Sequence, residues 1–214
     1  MQLSGKTVLI TGALGGLGSD LVEMFHKEKA KLILTDIHNT NIPNYFQADL
    51  SNRKEVMMLA KGVGFVDILI NNAGVGFYKT IDNISYEEWD KALNINLNAP
   101  MILMKEMKPA VTINIGSGCS IRPRKNRVEY NTTKNALRTL SLSVALDGNK
   151  VVYFNLGSML TNFGPLSKDD RKKRCKKTGK CYLNTKDVAN FLIKNLKDDN
   201  LKPEWNMHPK GYLS

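Results

Sequence analysis

The chain has 214 residues, 42% hydrophobic and 24% charged, with a formal net charge of +11, and this length suits one well-cored domain but not two typical α/β domains. The longest apolar runs have strand length and the N-terminus lacks the pattern of a secretion signal, so we expect no membrane span and no export. Three cysteines at no metal-ligand spacing exclude a disulfide framework, and a cytoplasmic protein is the expectation.

The predicted elements alternate between strands and helices along the chain. Strands are expected at 6–11, 31–36, 44–48, 66–71, 111–117, 151–155 and 204–207. Helices are expected at 16–29, 52–61, 85–108, 129–146 and 186–197. This order predicts an α/β fold, a doubly wound parallel sheet with helices on both faces, in one domain over residues 1–214. Ligands bind such sheets at the carboxyl ends of the strands.

Two of the predicted helices carry signals at their ends. Ser85 and Glu88 form a capping box that begins the helix at 85, and Pro100 predicts a kink or a break within that helix. Thr185 is expected to cap the last helix.

A glycine-rich turn follows the first strand. Gly12, Gly16 and Gly18, within TGALGGLG, permit a tight turn and a close approach of backbone to a pyrophosphate at the start of a helix. Asp36 ends the second strand, where a carboxylate can accept hydrogen bonds from both ribose hydroxyls and repel a 2′-phosphate. No Lys or Arg lies in the glycine turn or directly after Asp36, which favours NAD over NADP.

A proton-transfer site is predicted after the strand at 111–117. Tyr130 and Lys134 are four residues apart and share one helix face. An ammonium favours the phenolate, so Lys134 is expected to lower the pKa of Tyr130. Tyr130 can then take a proton from an alcohol or give one to a carbonyl, while Ser117 hydrogen-bonds the substrate oxygen.

These motifs and NNAG at 71–74 resemble, over nearly the whole chain, the short-chain dehydrogenases/reductases of the compact single-domain subfamily. The resemblance implies a Rossmann-type three-layer α/β/α fold in which the glycine turn binds NAD(P). Besides the three glycines and Asp36, it implies that the cofactor is contacted by Leu14, Leu17, Asp49, Leu50, Asn72, Ala73, Gly74, Tyr130, Lys134 and Thr161.

The resemblance also implies a set of catalytic residues, which are Asn96, Ser117, Tyr130 and Lys134. Lys134 would bind the nicotinamide ribose as well, and Asn96 would help to relay protons through a water. Asn94 and Asn98 lie close to Asn96, so an asparagine on the helix surface or in contact with a strand is the alternative interpretation of that residue.

The chain departs from the family pattern at three places, one of which is its C-terminus, EWNMHPKGYLS, without the usual Asp-Gly-Gly. A loop alone joins Asp36 to the short third strand, so the usual second helix is predicted to be absent. The usual Pro-Gly after the sixth strand is replaced by Leu156–Gly157.

The positive charge is concentrated in two segments. Residues 168–180 hold eight Lys or Arg against two Asp, and residues 122–127 hold four with no acid. The family resemblance makes residues 158–184 a basic lid over the substrate, and two cationic segments beside one site would concentrate an anionic substrate. The alternative is a solvated, mobile helix face.

No aromatic platform accompanies the charge, so nucleic-acid binding is not expected. His26, His38 and His208 have no metal-ligand spacing, and no metal site is predicted.

The leading hypothesis is an NAD(H)-dependent oxidoreductase that interconverts a secondary alcohol and a carbonyl of a small molecule, and the basic segments favour an anionic one. The alternative is a non-catalytic NAD(H)-binding regulatory or scaffold protein, which the missing helix and the altered turn favour and the intact Ser/Tyr/Lys set opposes. An epimerase or dehydratase of the related extended fold needs a longer chain.

The resemblance also implies a homodimer or homotetramer that pairs helices 85–108 and 129–147.

Overall fold

The computed structural model describes residues 1–179, 181–198 and 200–209. Lys180, which belongs to the predicted basic lid, and residues 199 and 210–214 of the predicted domain lie outside the described residues. A seven-stranded parallel sheet forms the centre of the molecule, with strand order β3-β2-β1-β4-β5-β6-β7. Its strands are β1 Thr7–Thr11, β2 Lys31–Asp36, β3 Tyr45–Gln47, β4 Ile68–Asn71, β5 Val111–Ile115, β6 Val151–Leu156 and β7 Glu204–Met207.

The helices cover both faces of this sheet, and each face has its own apolar core. They are α1 Gly16–Lys27, α2 Arg53–Val63, α3 Tyr86–Leu93, α4 Ala99–Met107, α5 Val128–Leu146, α6 Lys168–Thr178 and α7 Thr185–Leu196. Leu21 of α1 and Leu192 of α7 pack in one core, while Leu59 of α2 and Leu103 of α4 pack in the other. The prediction of a doubly wound α/β fold with three layers is confirmed.

The strand order reverses between β1 and β4. The chain runs outward from β1 to β2 and β3, and then crosses back to place β4 on the other side of β1. At such a switch point the loops after the two strands diverge and leave a crevice at their carboxyl ends. The turns that follow Thr11 and Asn71 meet in this crevice.

The predicted helix over 85–108 is two helices instead of one. The capping box is present, since Glu88 N–H donates to Ser85 Oγ at 3.1 Å and Ser85 N–H donates to the Glu88 carboxylate at 3.2 Å. A wide π-helical turn over Asn94–Asn98 then separates α3 from α4, and Pro100 stands at the start of α4. Proline has no N–H with which to continue the α-helical ladder, so the predicted break occurs, and it lies just before the proline.

Two further predictions, one on an absent helix and one on a helix cap, have different outcomes. Residues 37–44, all of them described, contain no helix, so the second helix of the family pattern is absent as predicted. The predicted cap at Thr185 is wrong by one residue, because the Asn184 side chain accepts the hydrogen bond from Lys186 N–H at 2.9 Å. Asparagine is the stronger N-cap residue of the two.

Among the described residues, no helix combines the length and the apolar character that a bilayer crossing requires.

Candidate active site

The glycine turn is shaped by close backbone contacts. A Cβ atom on Gly18 would lie 2.1 Å from the Gly12 carbonyl oxygen, and one on Gly12, whose φ is +63°, would lie 2.8 Å from Ala73 Cα. Gly15 is the N-cap of α1 and supplies no side-chain hydrogen bond, so the first N–H groups of α1 have no side-chain cap. A helix start of this kind suits the phosphates of a dinucleotide.

Asn72 ties the glycine turn to the end of β4. Its side-chain amide donates to the carbonyl oxygens of Thr11 and Gly12 at 2.9 and 3.0 Å. In return, the Thr11 hydroxyl accepts hydrogen bonds from the N–H groups of Asn72 and Ala73 at 3.1 and 3.0 Å. The two motifs therefore form one rigid unit at the switch point.

Asp36 lies beside this unit at the carboxyl end of β2. One of its carboxylate oxygens accepts the Leu14 N–H at 3.1 Å, and the other is 3.0 Å from the His38 ring nitrogen. Each carboxylate oxygen has a second lone pair, so Asp36 can still accept hydrogen bonds from a ribose. Asp36 was predicted to bind the ribose of the adenosine half of the cofactor, and its position beside the glycine turn is compatible with that prediction.

The other residues predicted to contact the cofactor lie in different surroundings. Leu17 and Leu50 have side chains buried in the two cores, whereas the Leu14 side chain is exposed. The Asp49 carboxylate accepts hydrogen bonds from the Ser51 N–H and hydroxyl at 2.8 and 2.7 Å. Thr161 is buried next to the glycine turn, because a Cβ on Gly16 would lie 2.9 Å from Thr161 Cγ2.

Asn96 is fully buried in the π-helical turn between α3 and α4. Its side-chain oxygen accepts the Val75 N–H at 2.9 Å, and its amide donates to the Val75 carbonyl at 2.9 Å and to the Thr133 hydroxyl at 3.0 Å. The alternative of an asparagine on the helix surface is wrong. Asn96 instead fastens the segment after the NNAG turn to α5, which carries Tyr130 and Lys134.

Ser117, Tyr130 and Lys134 come together in a buried region at the carboxyl end of β5. Lys134 Nζ donates to the Ile115 carbonyl at 2.8 Å and lies 5.9 Å from the centre of the Tyr130 ring. Gly74 borders the same place, because a Cβ there would lie 3.2 Å from Asn96 Oδ1 and 3.7 Å from Lys134 Nζ. The structure thus brings together the four residues that the resemblance named as catalytic.

Burial controls the charge states of this group. It raises the pKa of Tyr130 well above 10, and a hydrogen bond with Ser117 opposes that rise only in part. It also lowers the pKa of Lys134 from 10.5 to about 8. The pKa of Tyr130 therefore shifts upward, opposite to the direction expected from a neighbouring ammonium, because removal of water from the phenol is the largest cause.

Tyr153 is a site residue that the sequence did not single out. Its buried hydroxyl accepts the Ser117 N–H at 3.0 Å and donates to the Lys134 carbonyl at 3.1 Å, so one side chain joins the backbones of two predicted catalytic residues. Burial raises the pKa of Tyr153 to about 12. The glycine at position 116 was the one sequence feature that could have indicated this side chain, because a Cβ there would lie 2.1 Å from the Tyr153 ring.

Aromatic rings enclose Tyr130. Tyr78 meets it edge-on with 5.6 Å between ring centres, and Phe163 lies at the same distance on another side. Glu129 holds the first of these walls, because its buried carboxylate accepts the N–H groups of Phe77 and Tyr78, each at 2.9 Å. None of these four contacts follows from spacing in the sequence.

A small cavity of about 50 Å³ opens beside Ser117 and Tyr130. Each basic segment contributes one arginine to its wall, Arg127 from residues 122–127 and Arg171 from α6. The other described Lys and Arg residues of α6 are exposed. The described residues contain no group of His, Cys, Asp and Glu arranged to hold a metal ion.

Comparisons with known proteins agree on one family. The family model described as short chain dehydrogenase matches residues 6–171. An uncharacterized oxidoreductase of Thermotoga maritima is 30% identical over 169 residues, which cover 69% of this chain and 67% of that protein.

The solved structures agree on the fold. 4-Hydroxyisoleucine dehydrogenase complexed with NADH has a TM-score of 0.84 at 23% identity, over 97% of this chain and 98% of that chain. A short chain dehydrogenase from Burkholderia cenocepacia in complex with NADP has a TM-score of 0.80 at 20% identity, over 99% of this chain and 98% of that chain. The likeness thus extends to the NAD(P)-binding Rossmann fold, and it is shared by proteins that hold either nucleotide.

Proposed function

This chain belongs to the short-chain dehydrogenases, the NAD(P)-dependent oxidoreductases of CH–OH groups, and from that premise we propose that it interconverts a secondary alcohol and a carbonyl through Ser117, Tyr130 and Lys134. One observation carries the proposal. The serine at the end of β5 and the tyrosine and lysine on α5 converge in one buried site beside the switch point. NAD(H) would be held by the glycine turn, Asp36 and Thr161, and supplies the acceptor or donor of hydride.

Tyr130 transfers the proton, and Ser117 holds the oxygen that gives or receives it. In alcohol oxidation, Tyr130 as the phenolate would take the hydroxyl proton, and the hydride of the C–H bond would pass to the oxidised nicotinamide when it is bound, so that the alcohol becomes a carbonyl. In reduction, the phenol returns that proton to the oxygen. Ser117 hydrogen-bonds the same oxygen and keeps it within reach of Tyr130. Because burial raises the pKa of Tyr130, the proton-donating form prevails at neutral pH.

We propose NAD(H) rather than NADP(H) as the cofactor. Asp36 supports this choice, because its carboxylate lies 3.1 Å from the Leu14 N–H of the glycine turn and would repel a 2′-phosphate placed there. Calorimetric titration with NADH and with NADPH tests it. We expect NADH to bind at least tenfold more tightly, and Asp36→Asn to reduce that preference. Equal affinities would overturn the assignment of NAD.

The proton-transfer role is tested with Tyr130→Phe. We expect turnover to fall by at least a hundredfold, about 3 kcal/mol in the barrier, while the dissociation constant for NADH changes less than threefold. Tyr86→Phe is the matched control, since Tyr86 is an exposed tyrosine on α3. Undiminished turnover by Tyr130→Phe would contradict the mechanism. NADH binding without turnover on any carbonyl substrate would favour the non-catalytic role instead.

An anionic substrate is the third part of the proposal. The cavity beside Tyr130 receives one arginine from each basic segment, and exposed lysines of α6 add to the local positive potential. If this charge attracts the substrate, its KM rises with ionic strength. A KM that does not change with salt would contradict this part of the proposal.

Assembly stays a prediction. Pairing through α3 and α5 has the support of two exposed apolar side chains there, Tyr86 and Leu146, each 88% exposed. Light scattering during gel filtration would distinguish a monomer from the predicted dimer or tetramer.

A further inference from the structure

Arg171 is an unusual residue for a surface helix, because its side chain is buried. It lies in the first half of α6 and is only 7% exposed, while Lys172, Lys173 and Arg174 after it are exposed. Its Nε donates to the Leu166 carbonyl at 3.3 Å, and its Nη2 donates to the Phe163 carbonyl. The guanidinium is therefore held by neutral groups, namely these two backbone carbonyls and the Tyr182 ring, whose centre lies 5.8 Å from Arg171 Cζ.

The charge of Arg171 has no acidic partner in the part of the chain that the structure describes. The two aspartates of the same helix are used elsewhere, since Asp169 pairs with Lys172 at 3.3 Å and Asp170 accepts hydrogen bonds from Ser167. A buried guanidinium without a counter-charge is unfavourable, and an anion that reaches it is bound correspondingly well. Its fork of N–H donors fits a carboxylate with two parallel hydrogen bonds.

The same guanidinium lines the cavity that contains the proposed reacting groups. Ser117 and Tyr130 stand in the wall of this cavity with Arg171, and Arg127 adds a second guanidinium that stacks 4.0 Å above the Tyr78 ring. Phe163, whose carbonyl holds Arg171, also packs its ring against Tyr130. One end of a substrate can thus reach Tyr130 while its other end reaches an arginine.

We propose that Arg171, assisted by Arg127, binds a carboxylate of the substrate, and that the substrate is a short hydroxy acid or the corresponding oxo acid. This inference rests on the proposed dehydrogenase function and specifies its substrate class. The cavity volume of about 50 Å³ admits few heavy atoms, since one water needs about 10–15 Å³ of such volume. A short acid requires the least enlargement of this cavity, whereas a long acyl thioester or a nucleotide-linked sugar would extend far beyond it.

The test compares acids with their uncharged esters. Wild-type protein with NADH is offered 2-oxobutanoate, 3-oxobutanoate and 4-oxopentanoate, which vary the distance from carbonyl to carboxylate, together with the methyl ester of each. We expect at least one acid to be reduced with a kcat/KM at least a hundredfold above that of its ester. Preference for the esters would overturn the proposal.

Arg171→Gln and Arg174→Gln form a matched pair, because both remove one positive charge from α6 and only Arg171 reaches the cavity. We expect Arg171→Gln to lower kcat/KM for the preferred acid about a hundredfold and for its ester less than threefold. Arg174→Gln should change either value less than threefold. Equal losses in the two variants would assign the effect to overall charge and overturn the specific role of Arg171.

A structural role for Arg171 gives a different result. If its bonds to Leu166 and Phe163 only hold α6 in place, Arg171→Gln loses activity toward the acid and the ester alike, which overturns the proposal. Arg171→Lys keeps the charge and is expected to retain part of the preference for the acid over the ester, even if the glutamine variant unfolds.

Binding separates this inference from the function on which it rests. The NADH complex of Tyr130→Phe, in which turnover is stopped, is titrated with the same acids, and we expect binding that Arg171→Gln removes. If wild-type protein binds NADH but neither binds nor reduces any of the acids, the carboxylate proposal fails and the dehydrogenase proposal stands. If NADH itself does not bind, the dehydrogenase proposal fails.

Discussion

The glycine turn is held by contacts to backbone atoms, whereas the pocket around Tyr130 is walled by side chains. Around the turn, Gly12 and Gly18 pack against neighbouring backbone, and Thr11 and Asn72 bind carbonyl and N–H groups. Around Tyr130, the walls are the rings of Tyr78 and Phe163 and the guanidiniums of Arg127 and Arg171.

This difference explains why the sequence predicted the glycine turn but not the walls of the pocket around Tyr130. A tight backbone contact accepts few residue types, so it leaves a motif. A wall of side chains can be built from several residue types that are distant in the sequence, and it leaves none. We expect the nucleotide region to tolerate little change, and the substrate region to change specificity while the fold persists.

The largest effect is expected from Gly18→Ala. The added Cβ would lie 2.1 Å from the Gly12 carbonyl oxygen, so the turn must shift. We expect the free energy of unfolding to fall by about 3 kcal/mol and the affinity for NADH to fall more than tenfold, as measured by urea unfolding and calorimetry.

Gly62→Ala is the control for that variant. Gly62 lies in α2, where an added Cβ would be 3.8 Å from the Phe46 ring, so alanine should stabilise the helix by up to about 1 kcal/mol. A Gly18→Ala protein that is as stable as wild type and binds NADH normally would show that the turn is adaptable, and would remove the contrast between the two regions.

Tyr153→Phe is expected to have an intermediate effect. The change removes the hydroxyl that joins the Ser117 N–H to the Lys134 carbonyl and leaves both groups without that partner. We expect a loss of about 2 kcal/mol in the free energy of unfolding, a clear decrease in kcat and an unchanged KM for NADH. If stability falls and kcat does not, Tyr153 supports the fold without positioning the reacting groups.

The smallest effect concerns the charge of Lys134. Its pKa of about 8 in the folded protein lies below 10.5 in the unfolded chain, so between these values the folded state binds fewer protons and a rise in pH favours folding. We expect the free energy of unfolding of wild type, relative to Lys134→Met, to increase by about 1 kcal/mol between pH 7 and pH 9.

Urea unfolding of both proteins at each pH, without cofactor, measures this difference. Parallel pH profiles would mean that Lys134 is not destabilised by burial.

The sequence anticipated most of the fold, because alternating strand and helix patterns reflect local burial. It placed every strand of the sheet and most helices within a few residues of their observed bounds. It predicted an interruption of the helix over 85–108 at Pro100 but not the π-helical turn over Asn94–Asn98 that forms it, since the position of such a turn depends on what packs against it. At Asn96, that includes hydrogen bonds to Val75 and Thr133.

The candidate site was anticipated only in its motif residues. Ser117, Tyr130 and Lys134 were identified, but the direction of the pKa shift of Tyr130 was not, because burial follows from the surrounding side chains. Tyr153 and Glu129 were missed for the same reason. Their partners lie far away in the sequence, at Ser117 and at Phe77 and Tyr78.

By itself, the sequence determined the α/β order, the glycine turn with Asp36, and the placement of Ser117 after β5 with Tyr130 and Lys134 on the helix that follows. These features depend on backbone geometry and on contacts between near neighbours in the chain. The tertiary structure alone decided that, within a helix rich in exposed lysine and arginine, the guanidinium of Arg171 turns inward to the cavity beside Tyr130. The environment of a charge is set by every element that packs around it, and no spacing within one segment contains that information.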